Sequence, residues 1–244
     1  MNYLQAVKRP SYNFVFSGIL LVLYEAIIFF TPSQAGRKVI NAVDGWFEMV
    51  LAPIPYATLV ISLLLLALTA YFIHKDYREE KPFQGIFVGY MWAESLVWAL
   101  VIYFNLTLLV SALPGLSAVS YNAVAQAAQR PGFIHALGLS FGAGFYEELF
   151  FRLLLVVALR YLLKLLGIDF GRWGNGAIIV SVTAVLFSLA HHIPPYGEPF
   201  EFYVFVYRAV FGVLMSALLL ARGFGITAWT HALYDVVIDI RTYW

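Results

Sequence analysis

The stretch FYEELFFRLLL, Phe145–Leu155, sets two glutamates and one arginine among apolar side chains, and no other residue in it is charged. The surrounding chain of 244 residues is 62% hydrophobic and 12% charged, whereas soluble domains carry about 25% charged residues. This composition predicts an all-α, polytopic helical membrane protein. A charge at the centre of a bilayer is unfavourable by about 2.5–3.5 kcal/mol, so each of these three residues calls for a partner or a function.

Apolar runs elsewhere in the chain predict the transmembrane helices. Seven spans are expected, over Asn13–Phe30, Tyr56–Ile73, Ile86–Leu113, Gly132–Arg152, Ala177–Ala190, Phe202–Ala221 and Ile226–Ile240. Leu153–Leu166 is then a cytoplasmic interfacial helix, or else a short eighth span. The apolar spacing in Thr31–Pro55 predicts another interfacial helix, and Pro114–Pro131 is expected to be a polar connection.

The basic residues predict the orientation, because lysine and arginine favour the cytoplasmic side of a membrane protein. With seven spans, a cytoplasmic N-terminus places nine of them inside and four outside. We therefore expect a multi-pass protein with a cytoplasmic N-terminus, embedded in the lipid bilayer. The expected location is the prokaryotic inner (cell) membrane. The net charge of +1 gives no reason to expect a nucleic-acid partner, and the absence of cysteine excludes disulfides and a thiolate nucleophile.

The opening stretch holds the first of three clusters of ionisable residues. Glu148 and Arg152 are four residues apart and can pair on one helix face, while Glu147 points about 100° away. One acid is then held as an anion, and the other is free to act as a general base or acid. The alternative is a purely structural ion-pair network between helices.

The second cluster, FSLAH at 187–191, ends a predicted span and is followed by His192. An imidazole at this position can donate a hydrogen bond, bind a metal or relay protons. The alternative is a helix-end histidine at the level of the lipid headgroups, which we favour for His192. Both readings stay open for His191.

The third cluster is HALYD at 231–235, in which His231 and Asp235 share a helix face. The aspartate can set the tautomer of the histidine, or both can act on one substrate or metal. Asp239 continues the face one turn later, so a self-neutralising helix face is the alternative. The isolated residues Glu25, Glu94 and Arg208 are interpreted as structural, with Arg208 able to pair with either acid.

In this order, EELFFR at 147–152, FSLAH at 187–191 and HALYD at 231–235 resemble the motifs of one family. It is the CAAX protease and bacteriocin-processing family of intramembrane endopeptidases, also called the Abi family. The resemblance covers the chain from Gly132 to its C-terminus. It implies N-terminal transmembrane helices and interfacial segments over residues 1–131 and a catalytic core over residues 132–244, within one continuous membrane domain.

The family also implies roles for the clustered residues. Glu147 looks like the general base that activates a water for attack on a peptide carbonyl, and His191 looks like its partner. His231 and the residue four positions later look like the group that stabilises the oxyanion. Glu148 and Arg152 look supportive, bracing the site rather than reacting.

Asp235 departs from the family pattern, since CAAX-type members usually have asparagine at this position. An ionised aspartate cannot donate a hydrogen bond to an oxyanion, so Asp235 must be protonated, orient His231 or bind a metal. The set Glu147, His191 and His231 also resembles a His₂Glu zinc site. The expected cofactor is therefore either none or a divalent metal such as zinc.

The expected function is an intramembrane endopeptidase that hydrolyses a membrane-proximal or lipid-modified peptide. Its substrate would be a peptide or protein at the membrane, prenylated or bacteriocin-like. Two alternatives stay open. One is a non-catalytic membrane scaffold or bacteriocin self-immunity protein, and the other is a proton-coupled transporter, which the lack of internal repeats disfavours.

Overall fold

The computed structural model describes residues 2–31, 39–54, 57–112, 132–194 and 197–244. Within these ranges the secondary structure is entirely helical, which confirms the all-α prediction. The helices are α1 (Tyr3–Ala6), α2 (Pro10–Phe30), α3 (Ala42–Leu51), α4 (Ala57–Arg78), α5 (Ile86–Ala112), α6 (residues 133–165), α7 (Gly171–Ala190), α8 (Phe202–Arg222) and α9 (Phe224–Tyr243). The predicted connection Pro114–Pro131 lies outside the described residues.

Four stretches of the described residues are long and apolar enough to cross a membrane. They are Pro10–Phe30, Ile86–Ala112, Trp173–Ala190 and Phe202–Arg222. These helices support an integral membrane protein, and they agree with four of the predicted spans. The total of seven or eight spans stays a prediction, as does the cytoplasmic N-terminus.

Helix α6 differs from the expected arrangement, in which a span ended at Arg152 and a separate helix followed. Its backbone is helical without a break through Phe133–Gly142, Ala143–Glu147, Leu149–Leu154 and Leu155–Leu165. The physical reason is that residues 145–166 contain neither glycine nor proline. The helix ends before Gly167, whose φ of 65° is a left-handed conformation that glycine adopts readily.

Small residues let α6 approach its neighbours closely. A Cβ atom on Gly138 would lie 2.7 Å from Ile27 of α2, and one on Gly142 would lie 2.6 Å from Tyr24. On the other side, a Cβ atom on Gly144 would lie 2.5 Å from the carbonyl oxygen of Ala228 in α9. Small residues at helix contacts are typical of membrane proteins, and here they place α6 between α2 and α9.

Helix α3 is held at the far end of α2 by hydrogen bonds to Tyr24. The Tyr24 hydroxyl donates to the carboxylate of Asp44 and accepts the backbone N–H of Asn41. Asn41 also caps the helix, since its side-chain oxygen accepts the N–H of Val43 at 2.9 Å. The interfacial helix predicted within Thr31–Pro55 is thus a short helix that packs on α6.

Candidate active site

The two glutamates lie where the turns of α6 widen. Ala143–Glu147 and Leu149–Leu154 have π-helical hydrogen bonding, with Glu148 between them. π-helical turns occur frequently at functional sites. Glu147 is 7% exposed and Glu148 is fully buried.

Glu148 connects Arg152 to His231. Its Oε2 lies 3.3 Å from Nε of Arg152, as the spacing of four residues predicted, and its Oε1 lies 2.7 Å from Nδ1 of His231. The Arg152 guanidinium also lies 4.3 Å from the ring centroid of Phe187. A carboxylate that pairs with an arginine acts as an acceptor, so Nδ1 of His231 carries the proton and donates it in this hydrogen bond.

Glu147 faces both histidines with one oxygen. Its Oε2 lies 3.7 Å from Nε2 of His191 and 4.0 Å from Nε2 of His231. These separations are longer than hydrogen bonds, which rarely exceed about 3.2 Å. The carboxylate oxygen and the two imidazole nitrogens therefore converge without direct bonds between them.

His191 is oriented by its own helix. Its Nδ1 lies 2.8 Å from the carbonyl oxygen of Phe187. A carbonyl oxygen only accepts, so Nδ1 is the protonated nitrogen and Nε2 carries the lone pair. That lone pair points toward Glu147.

His191 and Glu147 lie at similar distances from the connection between α6 and α7, because α6 is one continuous helix. Glu147 lies 18 residues before the end of α6, and His191 lies 20 residues after the start of α7. At about 1.5 Å per residue, both stand roughly 27–30 Å from the connection between these helices. Ending the fourth span at Arg152 would put the two residues about 10 Å apart in depth, so the continuous helix removes that discrepancy.

Asp235 lies beside the same nitrogen of His231 that faces Glu147. Its Oδ2 is 3.5 Å from Nε2 of His231, and its side chain is 32% exposed. Asp239, one turn later, instead accepts a hydrogen bond from Ser140 at 2.7 Å. The structure thus brings Asp235 into the cluster, while Asp239 connects α9 to α6.

Asn41 is a site residue that the sequence did not reveal. Its Nδ2 donates to Oε1 of Glu147 at 2.9 Å, across 106 positions of the chain. Because its Oδ1 is occupied by the N–H of Val43, the amide can present only its NH₂ group to the glutamate. An asparagine before a helix signals an N-cap, but nothing local signals the distant carboxylate.

The isolated charged residues have partners of their own. Glu25 accepts a hydrogen bond from the Tyr146 hydroxyl at 3.1 Å. The expectation that Arg208 pairs with Glu25 or Glu94 is wrong, since Arg208 contacts Glu198 at 2.9 Å. The reason is the connection between α7 and α8, which brings Glu198 back over the first turns of α8, near Arg208. His192 lies in that connection, as expected of a helix-end residue.

The described residues do not supply a metal site. No three histidine, aspartate or glutamate side chains among them stand in a geometry that would hold a metal ion. The expected set of Glu147, His191 and His231 is not such a group in this arrangement.

The fold and the site define a helical membrane protein with a cluster of acids and histidines buried between its helices. Residues 129–237 match the family model of type II CAAX prenyl endopeptidases, Rce1-like. Over this stretch the chain is therefore similar to that family, which confirms the resemblance inferred from the three motifs. Comparisons with curated proteins and with solved structures found no significant match.

Proposed function

We propose that the protein is an intramembrane endopeptidase in which Glu147 activates a water molecule for peptide hydrolysis. One observation carries this proposal: Oε2 of Glu147 faces Nε2 of His191 at 3.7 Å and Nε2 of His231 at 4.0 Å. A base next to two imidazoles is what hydrolysis without a serine or cysteine nucleophile requires. The family match supports the same class of reaction.

Asn41 prepares Glu147 for the role of base. Its amide donates a hydrogen bond to Oε1 at 2.9 Å, and this bond fixes the orientation of the carboxylate. The second oxygen, Oε2, is left toward the histidines to accept a proton from water.

His191 positions the water. Its Nδ1 proton is held by the carbonyl of Phe187, so the Nε2 lone pair accepts a hydrogen bond from the water that Glu147 deprotonates. Two acceptors then hold the two hydrogens of the water. Its oxygen lone pair is directed at the carbonyl carbon of the substrate.

His231 stabilises the oxyanion as an imidazolium. The cluster holds three acids, the buried Glu147 and Glu148 and the partly exposed Asp235, against the single cation Arg152. A second positive charge on His231 reduces this imbalance, which is expensive in a buried site. Its Nδ1–H donates to Glu148 and its Nε2–H donates to the oxyanion.

Asp235 then has the role of orienting His231. An ionised aspartate 3.5 Å from Nε2 favours the imidazolium and needs no proton of its own. This role explains how aspartate can replace the asparagine that CAAX-type members usually carry.

The proposed reaction conserves every proton. Glu147 takes one proton from water, and the hydroxide forms a bond to the peptide carbonyl carbon. When the oxyanion collapses, the carbon–nitrogen bond breaks and Glu147 returns the proton to the leaving amine. The products are a carboxylic acid and an amine.

The proposed substrate is a peptide or protein at the membrane, prenylated or bacteriocin-like. Such a chain is presented at the bilayer, where the site lies between membrane helices. In this proposal residues 132–244 are the catalytic core, and residues 1–131 supply Asn41 and the packing around it.

The test compares membrane peptidomes of cells that carry the wild-type protein, Glu147→Gln or Glu25→Gln. The Glu147→Gln side chain keeps the acceptor for Asn41 but cannot take a proton from water, so an uncut peptide is expected to accumulate in that strain alone. Glu25→Gln is the matched control, since Glu25 is another acid of the bundle and is bonded to Tyr146. Full complementation of a deletion by Glu147→Gln would overturn the proposal and favour a scaffold or immunity protein.

A further inference from the structure

A cavity lies apart from the acid–histidine cluster formed by Glu147, His191, His231 and Asp235. It is an elongated cleft of about 900 Å³ between α2, α4, α6 and the junction of α8 with α9. Its walls are mostly apolar and include Phe14, Leu21, Leu66, Phe72 and Val157. None of Glu147, His191, His231 and Asp235 lines it, so the cleft is not the place where a peptide bond would be cut.

The cleft opens because α2 and α6 run antiparallel and are packed closely at one end. Gly138 and Gly142 bring α6 against Ile27 and Tyr24 near the end of α2. Further along α6 the cleft lies between the two helices. Gly18 of α2 lines this part of the cleft, and a Cβ atom added to it would meet nothing within 4 Å.

The antiparallel packing also brings two cations to one end of the cleft. Lys8 precedes α2 and Arg160 lies near the end of α6, and both are exposed and line the cleft. Neither forms an ion pair with a residue of the described ranges. At the opposite end, the carboxylate of Glu25 accepts a hydrogen bond from Tyr146.

The hydroxyl groups of Ser17 and Thr69 along the apolar walls are already satisfied by the protein. Ser17 donates to the carbonyl of Asn13, and Thr69 donates to that of Leu65. The cleft therefore offers a hydrocarbon surface with positive charge concentrated at one mouth. This is the pattern that an anionic amphiphile matches.

We infer that the cleft binds an anionic phospholipid, with an acyl chain between the helices and its phosphate against Lys8 and Arg160. From Lys8 to Glu25 the chain advances 17 residues, or roughly 25 Å along a helix. The hydrocarbon of one leaflet is about 15 Å thick, so an acyl chain fits between the basic mouth and Glu25. Bilayers supply this ligand in abundance.

Arg152 connects the cleft with the acid–histidine cluster. It lines the cleft and also pairs with Glu148, which holds His231. A lipid in the cleft therefore packs beside the segment of α6 that carries Arg152 and Glu148. Occupancy is expected to raise the thermal stability of the protein.

The experiment measures lipid binding by the purified full-length protein in mild detergent, using native mass spectrometry and thermal unfolding. Phosphatidylglycerol is expected to bind more tightly than phosphatidylcholine with the same acyl chains and to raise Tm more. Near a membrane surface each basic residue contributes about a fivefold preference for anionic lipid. The double variant Lys8→Gln/Arg160→Gln is therefore expected to lose about 25-fold of the preference.

Two further variants make the test specific to this cleft. Lys164→Gln removes a basic residue one turn beyond Arg160 that does not line the cleft, so the preference is expected to persist. Gly18→Leu fills the cleft with a good helix former and is expected to abolish binding of both lipids. If Gly18→Leu does not fold, the loss of lipid preference in Lys8→Gln/Arg160→Gln still tests the inference.

Three outcomes would overturn the inference. Equal binding of the two lipids would show that the basic mouth recognises no anion. A loss in Lys164→Gln equal to that in the double variant would show surface attraction only. Displacement of the lipid by a prenylated peptide would show that the cleft takes substrate instead.

Discussion

Two carboxylates of the same helix bundle, the half-buried Glu94 and the buried Glu147, have opposite surroundings. Glu94 receives Nε and Nη2 of Arg222 at 2.5 and 2.6 Å, and it accepts further bonds from the Tyr3 hydroxyl and from Trp98. Both of its oxygens are therefore occupied by donors. Such a carboxylate has no lone pair directed at a ligand, and it ties α1, α5 and α8 together.

Glu147 has a single close donor among the described residues, the amide of Asn41. Its neighbour Glu148 is paired with Arg152 at 3.3 Å, yet the guanidinium nitrogens of Arg152 have no hydrogen-bond partner in the described part of the chain. The difference between these two glutamates shows that a carboxylate in a membrane protein is structural when hydrogen-bond donors occupy both of its oxygens. A carboxylate with one oxygen that has no hydrogen-bond donor, and with two imidazoles beside it, is available for catalysis.

The largest difference in activity and stability is expected between the variants Glu147→Gln and Glu94→Gln. Glu147→Gln is expected to lower cleavage of a substrate found in the peptidome comparison by about 10²–10⁴-fold, because the general base is lost. Its Tm is expected to change little, since the glutamine amide oxygen still accepts the bond from Asn41. The measurements are single-turnover cleavage and thermal unfolding on the same preparations.

Glu94→Gln is the matched exchange and should behave in the opposite way. It removes charge-assisted bonds from Arg222, each contributing about 1.5–3 kcal/mol, so stability falls while activity per folded molecule is retained. If Glu94→Gln were inactive and Glu147→Gln active, the contrast drawn between these two acids would be wrong.

The arginines provide the second test. Arg152→Gln is expected to lower the free energy of unfolding by about 3–5 kcal/mol, because it leaves Glu148 buried without its cation. It should also lower activity, since Glu148 then loses the charge that holds Nδ1–H of His231. Arg152→Lys keeps the positive charge and is expected to restore part of both properties.

Arg222→Gln is the control, because that arginine pairs with Glu94 away from the histidines. It should lower stability without changing the rate of the folded enzyme. Equal losses of activity in the two arginine variants would show that Arg152 acts through stability alone.

The features predictable from sequence are those that depend on nearby residues. Apolar runs located α2, α5 and α8, and spacing of four residues paired Glu148 with Arg152. The contacts that failed prediction depend on the paths of loops and on the packing of helices, and not on spacing within one helix. Arg208 contacts Glu198 because of the connection before α8, and Asn41 contacts Glu147 because α3 packs on α6. Helical periodicity carries no information about such contacts.

Asn41 can be tested separately from its role as a helix cap. Asn41→Ser keeps a good N-cap for α3 but is too short to reach Glu147, so activity should fall about tenfold with little change in Tm. Asn41→Ala removes both functions and should also lower stability by about 1 kcal/mol. If the serine variant kept full activity, Asn41 would have only a structural role.

The smallest effect is expected from Asp235→Asn. The family usually has asparagine here, so activity at neutral pH should change by less than about fivefold, an amount that slight reorientation of His231 accounts for.

The pH dependence of activity distinguishes the possible roles of Asp235, because the proposal gives Asp235 a negative charge that favours the imidazolium of His231. Without that charge His231 loses its proton more readily, and activity should be lost at a lower pH on the alkaline side. The opposite model has a protonated Asp235 donating to the oxyanion. In that case asparagine, which cannot ionise, would keep its donor and extend activity to higher pH. A pH–rate profile of the two proteins on one substrate therefore distinguishes the two roles by the sign of the change.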